Sequence, residues 1–277
     1  MPHIGLIVTG DEALRDFQVF VTTLETYHPT ATLYVATDST TQIHTIKHKC
    51  TIHTKLSLDK YVGKRRPEME ALPGTIYDSL FKDYTYEKAA VLEWIFESVK
   101  DIGVWFMDAD IVHCGPLPAI PTGKTLALSP HYIRPADEAR YGHYNAGFLW
   151  LNDKELIRVW REAGHTSKFF EQMALETVAS TAKEKLYEFP IQVNFGWWRM
   201  FQGVEPPHAI QAKFSLFRND EGIGIRYGGA RLQSIHTHST DVSTGANGLF
   251  NAWIVGFARR FPQHKPLASW VRTVFKV

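Results

Sequence analysis

The segment with the clearest chemical potential is a pair of carboxylates that directly follows an apolar run. Residues 104–107 read Val-Trp-Phe-Met and predict a short buried strand, and Asp108, Ala109 and Asp110 follow it. Side chains two residues apart in an extended chain point to the same side, so the two carboxylates repel each other unless a cation neutralises them. Mn²⁺ and Mg²⁺ bind such oxygen ligands and keep room for phosphate oxygens. The pattern therefore favours a divalent-cation site over a pair of solvated turn aspartates.

Two histidines far down the chain are candidates to complete that site. We predict a strand over residues 231–238, which puts His236 and His238 on one face. Neutral imidazole suits Mn²⁺ better than Mg²⁺. Because the chain has 13 histidines, either one alone could be a hydrogen-bonded surface residue. The two histidines are candidate metal ligands only in combination with Asp108 and Asp110.

Lys88 is a candidate for anion binding. It lies one turn before Leu92, on the apolar stripe of a helix that we predict over residues 86–100. An ammonium that points towards a core needs an anion, and a diphosphate is one candidate. The alternative is a lysine at a helix start whose head group extends to solvent.

A polar segment before a later strand is a candidate for sugar binding. Residues 144–147 read Tyr-Asn-Ala-Gly and predict a tight turn into a strand over 148–151. Gly147 would let the backbone approach a ligand closely. Asn145 offers both a donor and an acceptor, which suits sugar hydroxyls. A turn without a ligand would explain the segment equally well.

The elements that must position these residues alternate between strands and helices. Further strands are predicted over residues 4–9, 33–37, 51–58 and 126–129. Further helices are predicted over 14–24, from a cap at Asn152 and Glu155, and over 169–179, 249–260 and 267–275. This alternation predicts an α/β fold with a Rossmann-like, mainly parallel central sheet flanked by helices. Ligands of such sheets bind at the carboxyl ends of the strands, where the candidate residues fall.

Composition excludes several classes of protein. The chain has 277 residues, of which 44% are hydrophobic and 21% charged, with a formal net charge of +1. These values indicate a globular domain without a general attraction to nucleic acid or membranes. Two cysteines are too few for a disulfide framework, and no apolar stretch approaches the roughly 20 residues of a membrane span. We therefore expect a cytoplasmic protein, in a host cytoplasm if the chain is viral, with peripheral membrane contact through residues 267–275 as the alternative.

Taken together, these segments resemble glycosyltransferases of the GT-A fold, and most closely the retaining family that includes glycogenin and bacterial lipopolysaccharide galactosyltransferases. The resemblance implies one domain over 1–277: a nucleotide-binding half (1–125), a half for acceptor and donor sugar (126–245), and C-terminal helices (246–277). It also implies metal-assisted transfer from a nucleoside diphosphate sugar, a UDP-sugar, with retention. The matching segments, in the family's order, are Leu6–Thr9, Lys88, Phe106–Asp110, Tyr144–Gly147, Glu171-Gln172 and Ile235-His236.

The resemblance also implies roles for individual residues. Thr9 would lie by the nucleotide base and Lys88 by the donor phosphates, with Ala109 in the donor site between the two aspartates. Asp108, Asp110 and His236 would hold Mn²⁺ or Mg²⁺, with His238 in reserve. Asn145, Glu171 and Gln172 would surround the donor sugar. The implied catalytic residues are Asp108, Asp110 and Glu171.

Two departures from the family pattern bear on the mechanism. The family usually has Asp within the pair that matches Glu171-Gln172. It also carries a glycine and then a lysine after its histidine, whereas no lysine or arginine occurs here between His236 and Arg259. His238 could then take part in diphosphate binding. An inverting reaction stays open, and it would need Glu171 or Asp241 as a base.

Other functions fit parts of the sequence. Residues 108–112 match the nucleophile motif of haloacid-dehalogenase-like phosphatases, but the late acidic pair of that class is missing. A non-catalytic sugar-binding module could use the eight tryptophans and eleven tyrosines, including Trp197 and Trp198. The acceptor stays open between a glycan, a lipid-linked glycan, a protein and a nucleic-acid base. Residues 64–66, Lys-Arg-Arg, and the basic C-terminal segment could meet an anionic acceptor.

Overall fold

The computed structural model describes residues 1–100, 102–219, 222–238, 245–260 and 262–275. Its strands are β1 (His3–Val8), β2 (Thr32–Thr37), β3 (Thr51–Leu56), β4 (Val104–Met107), β5 (Ile111–His113), β6 (Leu126–Pro130), β7 (Tyr144–Leu151), β8 (Leu186–Glu188), β9 (Phe195–Gly196), β10 (Phe214–Asn219), β11 (Gly222–Tyr227), β12 (Ala230–Arg231) and β13 (Ser234–His236). Its helices are α1 (Gly10–Leu24), α2 (Arg66–Ala71), α3 (Leu80–Thr85), α4 (Glu87–Ser98), α5 (Pro135–Tyr141), α6 (Glu155–Gly164), α7 (Phe170–Met173), α8 (Leu175–Thr181), α9 (Trp198–Gln202), α10 (Pro207–Ala212), α11 (Gly245–Arg260) and α12 (Lys265–Phe275).

Seven strands form the central sheet, in the order β3-β2-β1-β4-β7-β6-β8. The first four are parallel to one another, and β7 is antiparallel to both of its neighbours. All four residues of β4 are buried, because helices cover both faces of the sheet and a central strand then has no solvent face. The predicted α/β architecture with a mainly parallel central sheet is confirmed.

The segment 144–147 is part of β7, so the predicted turn is wrong. The pairing of β7 with β6 shifts between Leu128 and Ser129, whose partners are Leu149 and Asn145. The extra residues on β7 form a bulge, which disrupts the ladder locally while the strand continues. Gly147 and its small and polar neighbours mark this bulge, and the same composition is typical of turns.

A second, three-stranded sheet has the order β5-β13-β9. The strand predicted over 231–238 is wrong in its extent, because the chain leaves β12 at Arg231 and enters β13 only at Ser234. His238 lies beyond β13 with a φ of 46°, so the two histidines do not share a strand face. β13 pairs antiparallel with β5, directly after the two aspartates.

Two helices differ from their predicted form. The helix predicted over 169–179 is divided at Ala174 into α7 and α8. At the start of α6, the carboxylate of Asp153, and not the side chain of Asn152, accepts the backbone N–H of Glu155 at 3.0 Å. Among the described residues, no helix has both the length and the apolar character needed to cross a membrane.

Candidate functional site

A cleft of about 820 Å³ lies at the carboxyl ends of the parallel strands. Thr9 follows β1 and Asp108 follows β4, so the sheet itself brings them to one edge. The start of the antiparallel β7 reaches the same edge. All ten residues predicted for the site line this cleft: Thr9, Lys88, Asp108, Ala109, Asp110, Asn145, Glu171, Gln172, His236 and His238.

Asp110 is the centre of a cluster of possible metal ligands. Its Oδ1 lies 3.0 Å from His236 Nε2, and its Oδ2 lies 3.0 Å from His238 Nδ1. Asp108 Oδ2 is 3.8 Å from His236 Nε2. The pairing of β5 with β13 places His236 opposite Ile111, the residue after Asp110. Strand pairing across more than 120 residues of chain thus brings an imidazole to the carboxylates.

The cluster fits a divalent cation on two grounds. Asp110 Oδ1 and His236 Nε2 are both buried and close, yet neither makes a hydrogen bond among the described residues. Buried polar atoms are costly unless a partner satisfies them, and one cation would satisfy both. In addition, two ligand atoms at about 2.1 Å from an octahedral cation are about 3 Å apart, as these two are.

The groups of the cluster shift one another's pKa values. Burial alone would lower the pKa of His236, but the charge of Asp110 outweighs it and raises that pKa. Burial would raise the pKa of Asp110, but the charges of His236 and His238 lower it. The ring of His238 stacks on that of His236, with centroids 5.1 Å apart, and is more exposed.

Gly147 leaves the space that these side chains occupy. A Cβ atom at this position would overlap Asp108 Oδ2 and lie 2.5 Å from His236 Cε1. The Gly147 carbonyl also accepts the backbone N–H of Asp108 at 2.9 Å. The glycine of the predicted turn is therefore required by packing against two candidate ligands.

Lys88 forms two ion pairs at the cleft wall. Its Nζ lies 3.1 Å from Asp108 Oδ1 and 2.9 Å from Glu171 Oε1. Burial would lower the pKa of Lys88, but the two carboxylates raise it, so the ammonium stays charged. The lysine thus faces inward and does not extend to solvent, and in this structure its anions are side chains.

Asn145 is held by a network that includes a residue that sequence reasoning missed. Its Oδ1 accepts from the Gly147 backbone at 3.1 Å and from Asn194 Nδ2 at 3.0 Å. Its amide nitrogen lies 3.5 Å from Gln172 Oε1, and Gln172 donates to the Tyr141 carbonyl. Asn194 is fully buried and lies just before β9. No local pattern marked it, since its partner is 49 residues away.

Tyr84 was also missed. Its hydroxyl lies 3.2 Å from Thr9 Oγ1, and both residues line the cleft. The adjacent Gly10 has a φ of 75° and donates its N–H to Thr41 Oγ1 at 2.7 Å. Thr41 in turn donates to Asp38 at the end of β2. The turn after β1 is thereby tied to the next strand.

Backbone strain collects around the cleft. Non-glycine residues with φ between 40° and 60° are Tyr132 (52°), Phe170 (43°) and His238 (46°). Phe170 and His238 line the cleft, and Tyr132 lies between two lining residues. Such strain persists where the surrounding structure holds it, often at functional sites. Phe170 directly precedes Glu171, so one of these strained residues adjoins a candidate catalytic carboxylate.

The remaining candidate residues from the sequence differ in whether they line the cleft. Of the basic residues 64–66, only Arg66 lines the cleft. Asp241, the second candidate base, lies outside the described residues. Trp197 lines the cleft, and its indole N–H has no acceptor among the residues that the structure describes.

Solved structures identify the fold. The galactosyltransferase LgtC in complex with donor and acceptor sugar analogs is 11% identical, with a TM-score of 0.51 over 91% of this chain and 94% of that one. An active-site mutant of LgtC gives 13% identity and a TM-score of 0.52 over the same shares. The chain has a GT-A glycosyltransferase fold.

The other comparisons give a weaker structural match or no match. The glycosyltransferase GlyE of Streptococcus pneumoniae TIGR4 is 14% identical over 73% of this chain, with a TM-score of 0.44. The chain spans about half (49%) of the length of GlyE. No protein-family model matches the sequence. No curated protein matches it either.

Proposed function

We propose that this GT-A protein is a metal-dependent glycosyltransferase that takes a sugar from a nucleoside diphosphate sugar, a UDP-sugar, and transfers it with retention. The observation that carries the proposal is the cluster of Asp108, Asp110, His236 and His238 in the cleft at the strand ends. Carboxylates and imidazoles that converge in this way have the donor set of a Mn²⁺ site beside a diphosphate.

The proposed reaction replaces one bond at the anomeric carbon of the sugar with another. The bond from the anomeric carbon to phosphate oxygen breaks, and its electron pair leaves with the nucleoside diphosphate. A bond from an acceptor oxygen to the anomeric carbon forms, and the acceptor proton passes to the departing phosphate or to solvent. A bound divalent cation supplies Lewis-acid neutralisation of the diphosphate. Asp108, Asp110, His236 and His238 would hold it.

Lys88 and Glu171 act together in this proposal. The ammonium is positioned between two carboxylates, and a diphosphate that enters the cleft would compete with them for it. Release of Glu171 from Lys88 would leave a buried carboxylate free to stabilise positive charge on the anomeric carbon. Asn145 and Gln172 supply amide donors and acceptors for the sugar hydroxyls. Thr9 and Tyr84, whose hydroxyl oxygens lie 3.2 Å apart, would contact the nucleotide base.

Substitution of Asp110 tests the proposal. A panel of nucleoside diphosphate sugars is incubated with the full chain and Mn²⁺, and release of the nucleoside diphosphate is measured. We expect Asp110→Asn to abolish both turnover and Mn²⁺ binding while the protein still folds, with a melting temperature lowered by the loss of the ion pairs to His236 and His238. Asp153→Asn, the same change at the helix α6 cap, is the matched control. Wild-type turnover in Asp110→Asn, or in excess chelator, contradicts the proposal.

A further inference from the structure

Aromatic and arginine side chains line the exposed part of the cleft. The Arg66 guanidinium lies 4.8 Å from the centre of the Phe81 ring and 5.1 Å from that of Phe170. Phe170 contacts Phe169, and Phe169 contacts Tyr141, with ring centroids 4.9 Å and 5.2 Å apart. The Arg140 guanidinium lies 5.1 Å from the centre of the Tyr141 ring. We call these six residues the aromatic–arginine rim: Arg66, Phe81, Arg140, Tyr141, Phe169 and Phe170.

The rim is assembled from four separate helices or their flanks, so it is a property of the fold. Arg66 belongs to α2, Phe81 to α3, Tyr141 to α5 and Phe170 to α7. All six residues line the same cleft as the candidate metal ligands. His236 is buried, whereas Arg66 and Arg140 are exposed. The cleft therefore has a buried metal-binding part and an exposed rim.

The two arginines have charge available for a ligand. Arg66 pairs with the exposed Glu70 through Nε alone, and its side chain is 55% exposed. Arg140 has no carboxylate partner among the described residues. The exposed carboxylate in the cleft wall, Glu12, belongs to α1, which begins directly after Thr9. The rim itself carries two guanidinium groups and no acidic side chain.

We propose that the aromatic–arginine rim is the acceptor subsite, and that the acceptor is a sugar that carries a carboxylate or phosphate group. The proposal rests on the proposed transferase function. Aromatic rings offer flat apolar faces to the C–H faces of a sugar, and guanidinium groups bind carboxylate and phosphate through paired N–H donors. Two arginines match one or two anionic groups. A nucleic-acid strand, which presents a phosphate at every residue, would favour a longer basic track.

Calorimetric titration of the full chain tests this assignment. The probes are methyl glucoside, methyl glucuronoside, glucose 6-phosphate and an oligothymidylate, each with and without Mn²⁺ and UDP. We expect the two acidic sugars to bind at least tenfold more tightly than the neutral one, and the tighter of the two identifies the anion. Arg140→Ala should remove about tenfold or more of that preference, as expected for a charge-assisted contact, and Arg140→Lys should remove less.

Arg134→Ala is the matched control, because Arg134 precedes the same helix and pairs with Asp137 outside the cleft. Its acidic-sugar affinity should equal that of the wild type, and melting curves verify that each variant is folded. Equal affinity for neutral and acidic sugars, or a preference that survives Arg140→Ala, overturns the proposal. Binding of the oligothymidylate alone also overturns it, in favour of a nucleic-acid acceptor.

The outcome is separable from that of the proposed function. If the enzyme releases nucleoside diphosphate but shows no preference for acidic sugars, the subsite assignment fails and the transferase stands. If acidic sugars bind through Arg140 but no donor in the panel is turned over, the subsite stands as an anionic-sugar site and the transferase proposal fails.

Discussion

The two walls of the cleft are built in different ways. One wall is the edge of the central sheet, where Thr9, Asp108 and Asn145 belong to or follow strands packed in the middle of the protein. We group as the opposite wall the short elements that complete the site: the four-residue α7 carries Glu171, and the three-residue β13 carries His236. The sheet wall supplies the aspartates, and the opposite wall supplies the imidazoles and the carboxylate that faces Lys88.

The two walls also differ in how rigidly their side chains are held. The sheet wall is held by ladders of backbone hydrogen bonds and by buried apolar residues, so its side chains have little freedom. The opposite wall depends on strained residues at 170 and 238 and on pairing between β5 and β13. We therefore expect a change in the sheet wall to disturb several site residues at once. Changes in the opposite wall should be graded, apart from a group that contacts the reacting atoms.

Apart from the loss of Asp110, the largest effect should come from Glu171→Gln. If this carboxylate stabilises positive charge in the transition state, its loss should lower turnover by about 10²–10³-fold while donor affinity changes little. Initial rates and calorimetry with the donor separate the two quantities. Glu162→Gln, on the exposed face of α6, is the control. A rate equal to that of the wild type would remove Glu171 from the mechanism.

Gly147→Ala should act on the sheet wall with the next largest effect. The added methyl would overlap Asp108 and approach His236, so one of them must move away from the cluster. We expect Mn²⁺ affinity to fall by about 100-fold, comparable with the loss of a ligand's support. Gly256→Ala is the control, because Gly256 lies on the exposed face of α11, a Cβ there meets nothing within 4 Å among the described residues, and the helix gains propensity. Unchanged Mn²⁺ affinity in Gly147→Ala would mean that the cation is held elsewhere.

The two histidines of the opposite wall should contribute unequally to Mn²⁺ affinity. His236 is buried and approaches both aspartates, whereas His238 is partly exposed and forms an ion pair with Asp110. We expect His236→Ala to weaken Mn²⁺ binding by about 10²-fold and His238→Ala by about 10-fold or less. His208→Ala, in the exposed face of α10, should have no effect. If neither variant loses affinity, the histidines are structural and the metal assignment fails.

The smallest effect concerns the support of β13. His113 lies opposite Ser234 in the β5–β13 pairing, and burial together with the charge of His28 lowers its pKa to about 3. Since this folded-state pKa lies below the usual value of 6.5, the native protein excludes a proton that the unfolded chain binds. Stability from this source is complete above pH 6.5 and is lost as the pH falls towards 3. The difference between the melting temperatures at pH 7 and pH 5 should be smaller in His113→Phe than in the wild type. This variant retains an aromatic ring beside Phe20. An identical pH dependence in the two proteins would assign it to other groups.

The sequence predicts local features of the site better than features that depend on contacts between distant segments. Strand β4 and its aspartates are local: an apolar run followed by two carboxylates needs no knowledge of the rest of the chain. The positions of Asn194 and His236 depend on strand pairing between distant segments, and no period or motif encodes it. Composition also misled at 144–147, because a bulge and a turn both use small and polar residues. His238 reaches Asp110 through a positive φ, which a strand pattern does not anticipate.

The reversed direction of β7 has a consequence for how proteins of this fold could diversify. Because β6 ends and β7 begins at the cleft, residues 131–143 form a hairpin connection that carries α5, whose Arg140 and Tyr141 line the cleft. Insertions or deletions in this connection would leave the aspartates and the central hydrogen-bond ladders untouched. One surface segment could thus differ between proteins of this fold and change what enters the cleft, while the cluster around Asp110 stays the same.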